Sequence, residues 1–476
     1  MRKLANLNPK RVFAIFEEIC SIPHGSGNTR QLAQWCVDFG EKLQLKSVMD
    51  QAGNVVIYKN GSAGREKESP VILQAHLDMV CAKEPNCSFD FTTQGICVET
   101  DGETVWANKT TLGADNGIGL AMILAVLEDN SLSHPPIEGV LTTDEEVGLI
   151  GAAALNAALL KGNRMINLDS EDEGIFTAGC AGGSRLQVSF PINKIENEKE
   201  GILLEIHGLL GGHSGIEIHK DRLNANVVMA NLLALLKTNG EVQIASIGGG
   251  ALDNAIAKDA RCVLVTSLSI DEINEILVAE RARIATKEDV DFTLSVTPCE
   301  APKMLWNDAT ANNVLGFLSA APNGVQSMCE DLQNVVETSL NLGITKSEEI
   351  TFSAVYSLRS SVEAKRNDLA QTLLALAQQW GGNGVEGSQY PAWEYRAASP
   401  LRKTMEQVFF EFYNKQPITE VIHAGLECGA FGQKIQDLDA VSMGPNMVDV
   451  HTPNERVWVD SVERVYEYLC KVLAAL

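Results

Sequence analysis

The sequence contains no C-x-x-C pair, although its 476 residues include 11 cysteines. Zinc sites built from thiolates use such closely spaced cysteines, so this type of site is disfavoured. An odd number of cysteines also cannot form a complete set of intramolecular disulfides. Reduced thiols are typical of the cytosol, and we therefore expect a cytoplasmic protein whose cysteines are mostly small core residues.

The sequence also lacks long apolar runs and an excess of basic residues. No apolar stretch reaches the roughly 18–20 residues of a membrane-spanning helix, and residues 1–25 contain no uninterrupted apolar signal segment. Lys and Arg total 38 against 62 Asp and Glu, which gives a formal net charge of −24. This charge repels phosphate backbones and anionic membrane surfaces, so we expect no nucleic-acid partner and no membrane association.

The composition is that of a globular protein, with 45% hydrophobic and 21% charged residues. At roughly 100–200 residues per domain, the length predicts two or three domains. An apolar strand begins at Val71, and similar strands precede Glu145 and Asp169, with helices predicted from about Gly117 to Leu127 and Ala152 to Leu160. Continuous apolar strands that alternate with helices indicate an α/β fold with a mostly parallel central sheet.

The pattern changes from about Arg185, where alternating strands are interleaved with helices in the manner of an α+β domain. The apolar α/β pattern resumes after about Gln389. We therefore predict one domain from residues 1–185 and 390–476, interrupted by an inserted α+β domain at 186–389.

His76 and Asp78 are separated by one residue, so both side chains project from the same face of a strand. A metal-bound imidazole usually donates its other N–H to an acceptor, which a nearby carboxylate supplies. Taken alone, H-x-D also fits a purely structural pair, because such short motifs recur by chance.

Further carboxylates border apolar segments. Asp115 lies in LGADNG before an apolar helix, where it fits either a ligand or an ordinary helix N-cap. Glu145 and Glu146 follow an apolar strand, and adjacent side chains do not share a face. One of them can therefore bind a metal while the other acts as a general base, although the bare pair also fits exposed loop charges.

Asp169 ends another predicted strand, and His451 occurs in the late segment GPNMVDVHTPNE. Each residue alone fits a structural role. Together with His76, Asp115 and Glu146, they provide imidazole and carboxylate ligands, several of them at strand ends where open α/β sheets build active sites. The set predicts a metal centre.

The ordered series HLDMV, GADNG, TTDEEVG, NLDSE and GPNMVDVHTPNE resembles the cocatalytic two-zinc peptidases related to carboxypeptidase G and peptidase T. The match spans nearly the whole chain. Within that family, the segments SEDEGIFTAGCAGG, GLLGGHSGIEIH and HAGLECGAF are most similar to the aminoacyl-histidine dipeptidases, also called cytosol non-specific dipeptidases. The resemblance implies a zinc-peptidase catalytic domain with an inserted lid domain.

The resemblance also implies two zinc ions per chain, for which Co²⁺ or Mn²⁺ can substitute. Asp115 would bridge both ions. His76 and Asp169 would complete one site, and Glu146 and His451 would complete the other.

Two further residues receive catalytic roles from the resemblance. Glu145 would be the general base for a metal-bridging water, and it would return the proton to the leaving amine. Asp78 would orient His76. The family often has a cis peptide after the bridging aspartate, which is here the bond between Asp115 and Asn116.

The lid is expected to contact the substrate. His213 would stabilise the developing oxyanion, while Asn254 and Arg359 would bind the terminal carboxylate of the dipeptide, for which arginine offers a bidentate fork. In structural terms, His213 also fits a turn, Asn254 a turn cap and Arg359 a surface ion pair. His219 and His423 are unassigned candidates for the pocket wall.

The predicted function is hydrolysis of unblocked dipeptides, including aminoacyl-histidine and β-alanyl-histidine substrates, by a homodimer whose lid acts within or across subunits. The enzymatic alternative is N-acyl amino acid deacylation, because the two-zinc chemistry is shared across the family. A non-catalytic peptide- or metal-binding protein is a third interpretation, which the intact Glu145 and ligand set disfavour.

Overall fold

The structure is a computed structural model that describes residues 3–330 and 332–476. These residues form two compact units. The first comprises the chain up to Cys180 together with Trp393–Val421 and Leu426–Leu476, and the second comprises Ala181–Ala392 with Ile422–Gly425. None of the described helices is long and apolar enough to cross a membrane.

The compact units and the predicted inserted domain differ at their edges. The prediction places the insertion at 186–389, whereas the second unit begins at Ala181 and takes in Ile422–Gly425. The physical reason at the first edge is the strand Gly182–Pro191, which pairs along its whole length with Thr351–Ser360. Its first residues are glycine and serine, which carry no strand signal in the sequence.

The first unit is built on an eight-stranded sheet. In spatial order its strands are Lys46–Met49, Val55–Lys59, Ile137–Thr142, Val71–His76, Arg164–Asn167, Asp439–Ser442, Ile175–Cys180 and Ile418–Ile422. The strands from Ile137–Thr142 across to Asp439–Ser442 run parallel, and antiparallel pairs flank them. The predicted α/β class is confirmed, with a parallel centre and antiparallel edges.

The central strands are covered on both faces. Every residue of Val71–His76 and Ile137–Thr142 is buried. Val71, Leu73 and Ala75 join the apolar core that contains the helices Lys10–Cys20 and Ala114–Glu128. Because strand side chains alternate, Gln74 and His76 point to the opposite face of the sheet.

The helices of the first unit are Lys10–Cys20, Arg30–Lys42, Ala114–Glu128, Ile150–Ala154, Pro400–Tyr413, Glu427–Gly432 and Val459–Ala475. The helix predicted over Ala152 to Leu160 is wrong. The backbone leaves the helical conformation at Leu155, and the Asn156 side chain caps a separate 3₁₀ turn, Ala157–Leu159.

A smaller four-stranded sheet in the first unit carries the late histidine. Its strands are Met447–Val448, Arg456–Trp458, Thr104–Ala107 and Val98–Thr100. Met447–Val448 and Arg456–Trp458 pair antiparallel, so residues 449–455 form the loop that joins them. His451 lies in this loop with a φ of 63°.

The second unit has an antiparallel sheet of nine strands. They are Thr293–Cys299, Gly201–His207, Ala260–Thr266, Val242–Gly249, Val336–Ser347, Thr351–Ser360, Gly182–Pro191 and Asn383–Tyr390, with Gly324–Met328 beside Val336–Ser347. Its helices are Ala225–Asn239, Ile270–Ile284, Asp308–Ala320 and Glu363–Gln379. Short two-stranded ladders join Lys194–Glu196 to Met304–Trp306 and Gly212–His213 to Ala255–Ile256.

Lys434 secures the segment that follows the Glu145–Glu146 turn. Its ammonium donates to three backbone carbonyls at the end of the helix Ile150–Ala154, at 2.5–2.9 Å. We expect Lys434→Met to lower the free energy of unfolding by about 2 kcal/mol, because charge-assisted hydrogen bonds at a helix end are lost. Urea unfolding of metal-free protein measures this, and the exposed Lys67→Met is the control. Equal stabilities of the two variants would contradict the assignment.

Candidate metal centre

The predicted metal ligands of the first unit lie together around Asp115. Its Oδ1 lies 3.1 Å from Nε2 of His76, and its Oδ2 lies 3.1 Å from Nε2 of His451. Each carboxylate oxygen therefore faces a different imidazole. This is the arrangement of a carboxylate that can share two cations, one through each oxygen.

A second carboxylate accompanies each imidazole. Oδ1 of Asp169 lies 3.3 Å from Nε2 of His76, and Oε1 of Glu146 lies 2.9 Å from Nε2 of His451. Ligand atoms of His76, Asp115 and Glu146 all lie within 4.8 Å of one another. The structure thus brings together all the residues that the sequence predicts as metal ligands, in two groups joined by Asp115.

Asp78 lies behind this cluster and is fully buried. Its carboxylate accepts hydrogen bonds from the Ser26 hydroxyl at 2.8 Å and from the backbone N–H groups of Glu145 and Glu146 at 2.9 and 3.2 Å. The nearer partner of His76 Nδ1 is the Asp78 carbonyl oxygen at 2.9 Å, with the carboxylate at 3.5 Å. Asp78 therefore positions both the imidazole and the turn that carries the two glutamates.

Glu455 was missed by the sequence interpretation. Its buried carboxylate accepts from the backbone N–H groups of Leu112, Gly113 and Ala114 at 2.7–3.1 Å, and that of Asp115 is 3.4 Å away. This cradle fixes the loop that presents Asp115. Burial raises the pKa of the Glu455 carboxyl to about 7. The sequence signal was only a glutamate a few residues after His451.

Asn116 was also missed as a contributor to the site. The peptide bond between Asp115 and Asn116 is cis, as the family resemblance led us to expect. The Asn116 side chain donates to Oδ1 of Asp169 at 2.6 Å. A carboxylate that is hydrogen-bonded in this way keeps a fixed orientation.

The electrostatics of the cluster favour a cation. The hydrogen bonds that Asp115 and Glu146 accept from His451 raise the pKa of this imidazole to about 11. Burial raises the pKa of Glu145 well above its usual range, and Asp169 and Glu146 act in the same direction. The carboxylates outnumber the imidazoles, so the cluster holds buried negative charge. Imidazole and carboxylate donors in this number fit a pair of zinc-sized divalent ions.

The residues predicted for substrate contact belong to the second unit. His213 lies in the ladder with Ala255–Ile256, and its Nδ1 accepts the N–H groups of Gly215 and Ile216 at 3.2 and 3.1 Å. Burial lowers the pKa of His213, and the Arg359 charge adds to this effect. Its imidazole is therefore neutral, with Nε2 as its remaining donor. Asn254 is exposed at the start of the same ladder.

Arg359 is buried within the strand Thr351–Ser360, so a surface ion pair does not describe it. Its guanidinium donates to the Tyr390 hydroxyl at 2.7 Å and to the His423 carbonyl at 3.5 Å. Its Nε has no hydrogen-bond partner among the described residues. His423, an unassigned histidine in the sequence, is buried beside it and contacts the Ser339 hydroxyl at 2.7 Å through Nε2.

The first unit thus has an imidazole–carboxylate cluster, a candidate cation site, at the carboxyl ends of parallel strands, as in metal-dependent hydrolases of the α/β class. The chain matches the family description "Peptidase family M20/M25/M40" over residues 72–475. It belongs to this peptidase family, and the family resemblance seen in the sequence is confirmed.

Two relatives match over almost their full lengths. A cytosol non-specific dipeptidase from Escherichia coli (strain K12) is 35% identical over 479 residues, which cover 99% of each chain. The crystal structure of an aminoacylhistidine dipeptidase from Vibrio alginolyticus is also 35% identical, with a TM-score of 0.92 and coverage of 99% of this chain and 98% of that one. Aminopeptidase PepT from Bacillus cereus shares the fold, with a TM-score of 0.56, 14% identity and coverage of 98% and 99%.

Replacement of Asp78 tests whether its contacts hold the candidate ligands in place. We expect Asp78→Asn to weaken zinc binding roughly 10- to 100-fold, because the amide keeps only one of the two oxygens that accept the Glu145 and Glu146 N–H groups and removes the negative charge beside His76. Competition with a chromophoric chelator measures the affinity. Asp101→Asn, which alters an exposed turn carboxylate that also accepts backbone N–H groups, is the control. Unchanged affinity in Asp78→Asn would show that the ligands do not depend on this support.

Burial of the His423 imidazole should make the free energy of unfolding depend on pH. Burial, with the nearby Arg359 charge, lowers the pKa of His423 to about 3, so the folded protein keeps this imidazole neutral. The unfolded chain gains the proton near pH 6.5 and is favoured as the pH falls below that value. Between pH 6 and pH 5 we expect wild type to lose about 1 kcal/mol more stability than His423→Gln. Denaturant unfolding at both pH values measures this, and parallel losses would be the contrary result.

Proposed function

We propose that this protein is a zinc-dependent dipeptidase that hydrolyses unblocked dipeptides, including aminoacyl-histidine and β-alanyl-histidine substrates. The observation that carries the proposal is the position of Asp115, whose two oxygens face His76 and His451 separately. Similarity over the full chain to proteins named as dipeptidases supports the substrate class.

The proposed cofactor is two zinc ions per chain, with Co²⁺ or Mn²⁺ as substitutes. His76, Asp169 and Asp115 would hold one ion, and Asp115, Glu146 and His451 the other. When bound, such ions polarise the scissile carbonyl and lower the pKa of the attacking water. The hydrogen bonds that already orient His76 and Asp169 support this assignment.

Glu145 is the proposed general base. Asp78 holds its backbone N–H at 2.9 Å, which fixes the turn from which the carboxylate projects. A buried carboxylate with a raised pKa exchanges protons nearer neutral pH than an exposed one. Glu145 accepts the proton of the attacking water and delivers it to the leaving amine as the peptide bond breaks.

The second unit is the proposed lid. We assign His213, with its neutral imidazole, to the oxyanion, and Asn254 and Arg359 to the terminal carboxylate of the dipeptide. The guanidinium Nε, which has no hydrogen-bond partner in the described part of the chain, supports the role of Arg359. A cytoplasmic homodimer completes the proposal.

Replacement of Glu145 tests the mechanism. We expect Glu145→Ala to lower kcat for an aminoacyl-histidine dipeptide by about 10²–10⁴-fold, because proton transfer loses its base. Zinc content, measured on the same preparation by atomic absorption, should stay at two ions per chain. Asp144→Asn is the matched control. Asp144 lies on the same turn as Glu145, and its carboxylate accepts a hydrogen bond from the backbone N–H of Gly27.

Two results would count against the proposal. Wild type that is inactive and metal-free after zinc addition would overturn it. Cleavage of a dipeptide with an acetylated amino terminus, at the rate of the free dipeptide, would instead favour N-acyl amino acid deacylation.

A further inference from the structure

A layer of hydrogen-bonded polar side chains lies directly beneath the candidate ligands of the first unit. Asn167 donates to Oε1 of Gln74 at 2.5 Å, and the Gln74 amide donates to Oε2 of Glu427 at 2.5 Å. The Thr142 hydroxyl donates to the same Glu427 oxygen at 2.7 Å. The layer crosses three adjacent parallel strands and ends on a carboxylate from the helix Glu427–Gly432.

Strand geometry places this layer under the cluster. Gln74 stands two residues before His76 in the same strand, so their side chains share one face of the sheet, and Asn167 ends the next strand two residues before Asp169. Side chains at the intervening positions point to the opposite, apolar face. The position of Gln74 is therefore coupled to that of the imidazole directly above it.

Among the residues of this layer, Glu427 is the hardest to explain by a purely structural role. Its side chain has no solvent exposure, and its Oε1 has no hydrogen-bond partner within residues 3–330 and 332–476. Its donors are the neutral Gln74 and Thr142, and no lysine or arginine pairs with it in the part of the chain that the structure describes. An unpaired buried carboxylate is costly in a folded protein unless nearby positive charge compensates it.

The charged groups around Glu427 belong to the candidate metal centre. His76 stabilises its ionised form, while Asp169 destabilises it, and burial raises the pKa of Glu427 to about 7. Glu427 in turn acts on Glu145 as a like charge. A His76 that held a metal would be neutral and would no longer compensate Glu427, and bound cations would then supply the positive charge.

We propose that Glu427 is a positioning residue of the metal centre, whose buried negative charge strengthens cation binding and whose hydrogen bonds hold the strand ends that carry the ligands. This inference rests on the proposed function, because it assumes that divalent cations occupy the cluster. It predicts a particular pair of effects when the charge alone is removed. Cation affinity falls, while the metal-free fold loses an unfavourable charge.

The test compares Glu427→Gln with wild type in the full chain. Zinc affinity is measured by competition with a chromophoric chelator, and the stability of the metal-free protein is measured by urea unfolding. We expect zinc to bind roughly 10- to 100-fold more weakly to the variant. The urea midpoint of its metal-free form should equal or exceed that of wild type, because glutamine keeps the accepting oxygen without the charge.

Two further variants separate charge from packing. Glu427→Asp keeps the charge, so we expect it to bind zinc more tightly than Glu427→Gln. Glu138→Gln is the matched control, since Glu138 is also buried and lies on the same sheet face at the opposite end of the strand Ile137–Thr142. Its carboxylate accepts the N–H groups of Lys161 and Gly162 at 3.0–3.1 Å, and its zinc affinity should be unchanged.

The contrary outcomes are distinct. Wild-type zinc affinity in Glu427→Gln, or a metal-free variant that is unfolded or less stable than wild type, would overturn the role proposed for Glu427. An equal loss of affinity in Glu138→Gln would also overturn it, because the effect would then follow from any buried charge. Failure of wild type itself to bind zinc would overturn the proposed function instead.

Discussion

Successive side chains of a strand point to opposite faces, and in the parallel centre of the first sheet this alternation sorts polar from apolar residues. Leu73 and Ala75 enter the core under the long helix, while Gln74 and His76 face the other way. Neighbouring strands repeat the pattern in register, so their polar ends meet at one edge. A shift of one residue in any of these strands would turn the candidate ligands toward the apolar core.

Backbone amides and buried carboxylates organise the loops above that edge. Glu455 collects the N–H groups of the loop that presents Asp115, and Asp78 collects those of Glu145 and Glu146. Each carboxylate restricts the backbone conformation of a loop next to the candidate ligand that the loop carries. The cost is concentrated negative charge, which the proposed cations would offset.

The sequence predicts the central sheet well, and the candidate ligands that it selects lie together in the structure, because each strand there is an apolar run that ends in a polar residue. Apart from Asp78, it does not predict the supporting residues. Glu427 and Asn116 acquire their roles only when distant segments fold against the strands, and neither belongs to a periodic pattern. The prediction of a helix through Leu155 was wrong for a local reason. The alanine-rich sequence favours a helix and does not indicate that the backbone becomes extended at Leu155.

The two imidazoles of the cluster have very different access to solvent. The side chain of His76 is 1% exposed, whereas that of His451 is 47% exposed on its hairpin loop. Of the two imidazoles, His451 is therefore the one that contacts water. The cluster joins a solvent-exposed imidazole on a loop to a buried imidazole on a strand. The fold fixes both environments.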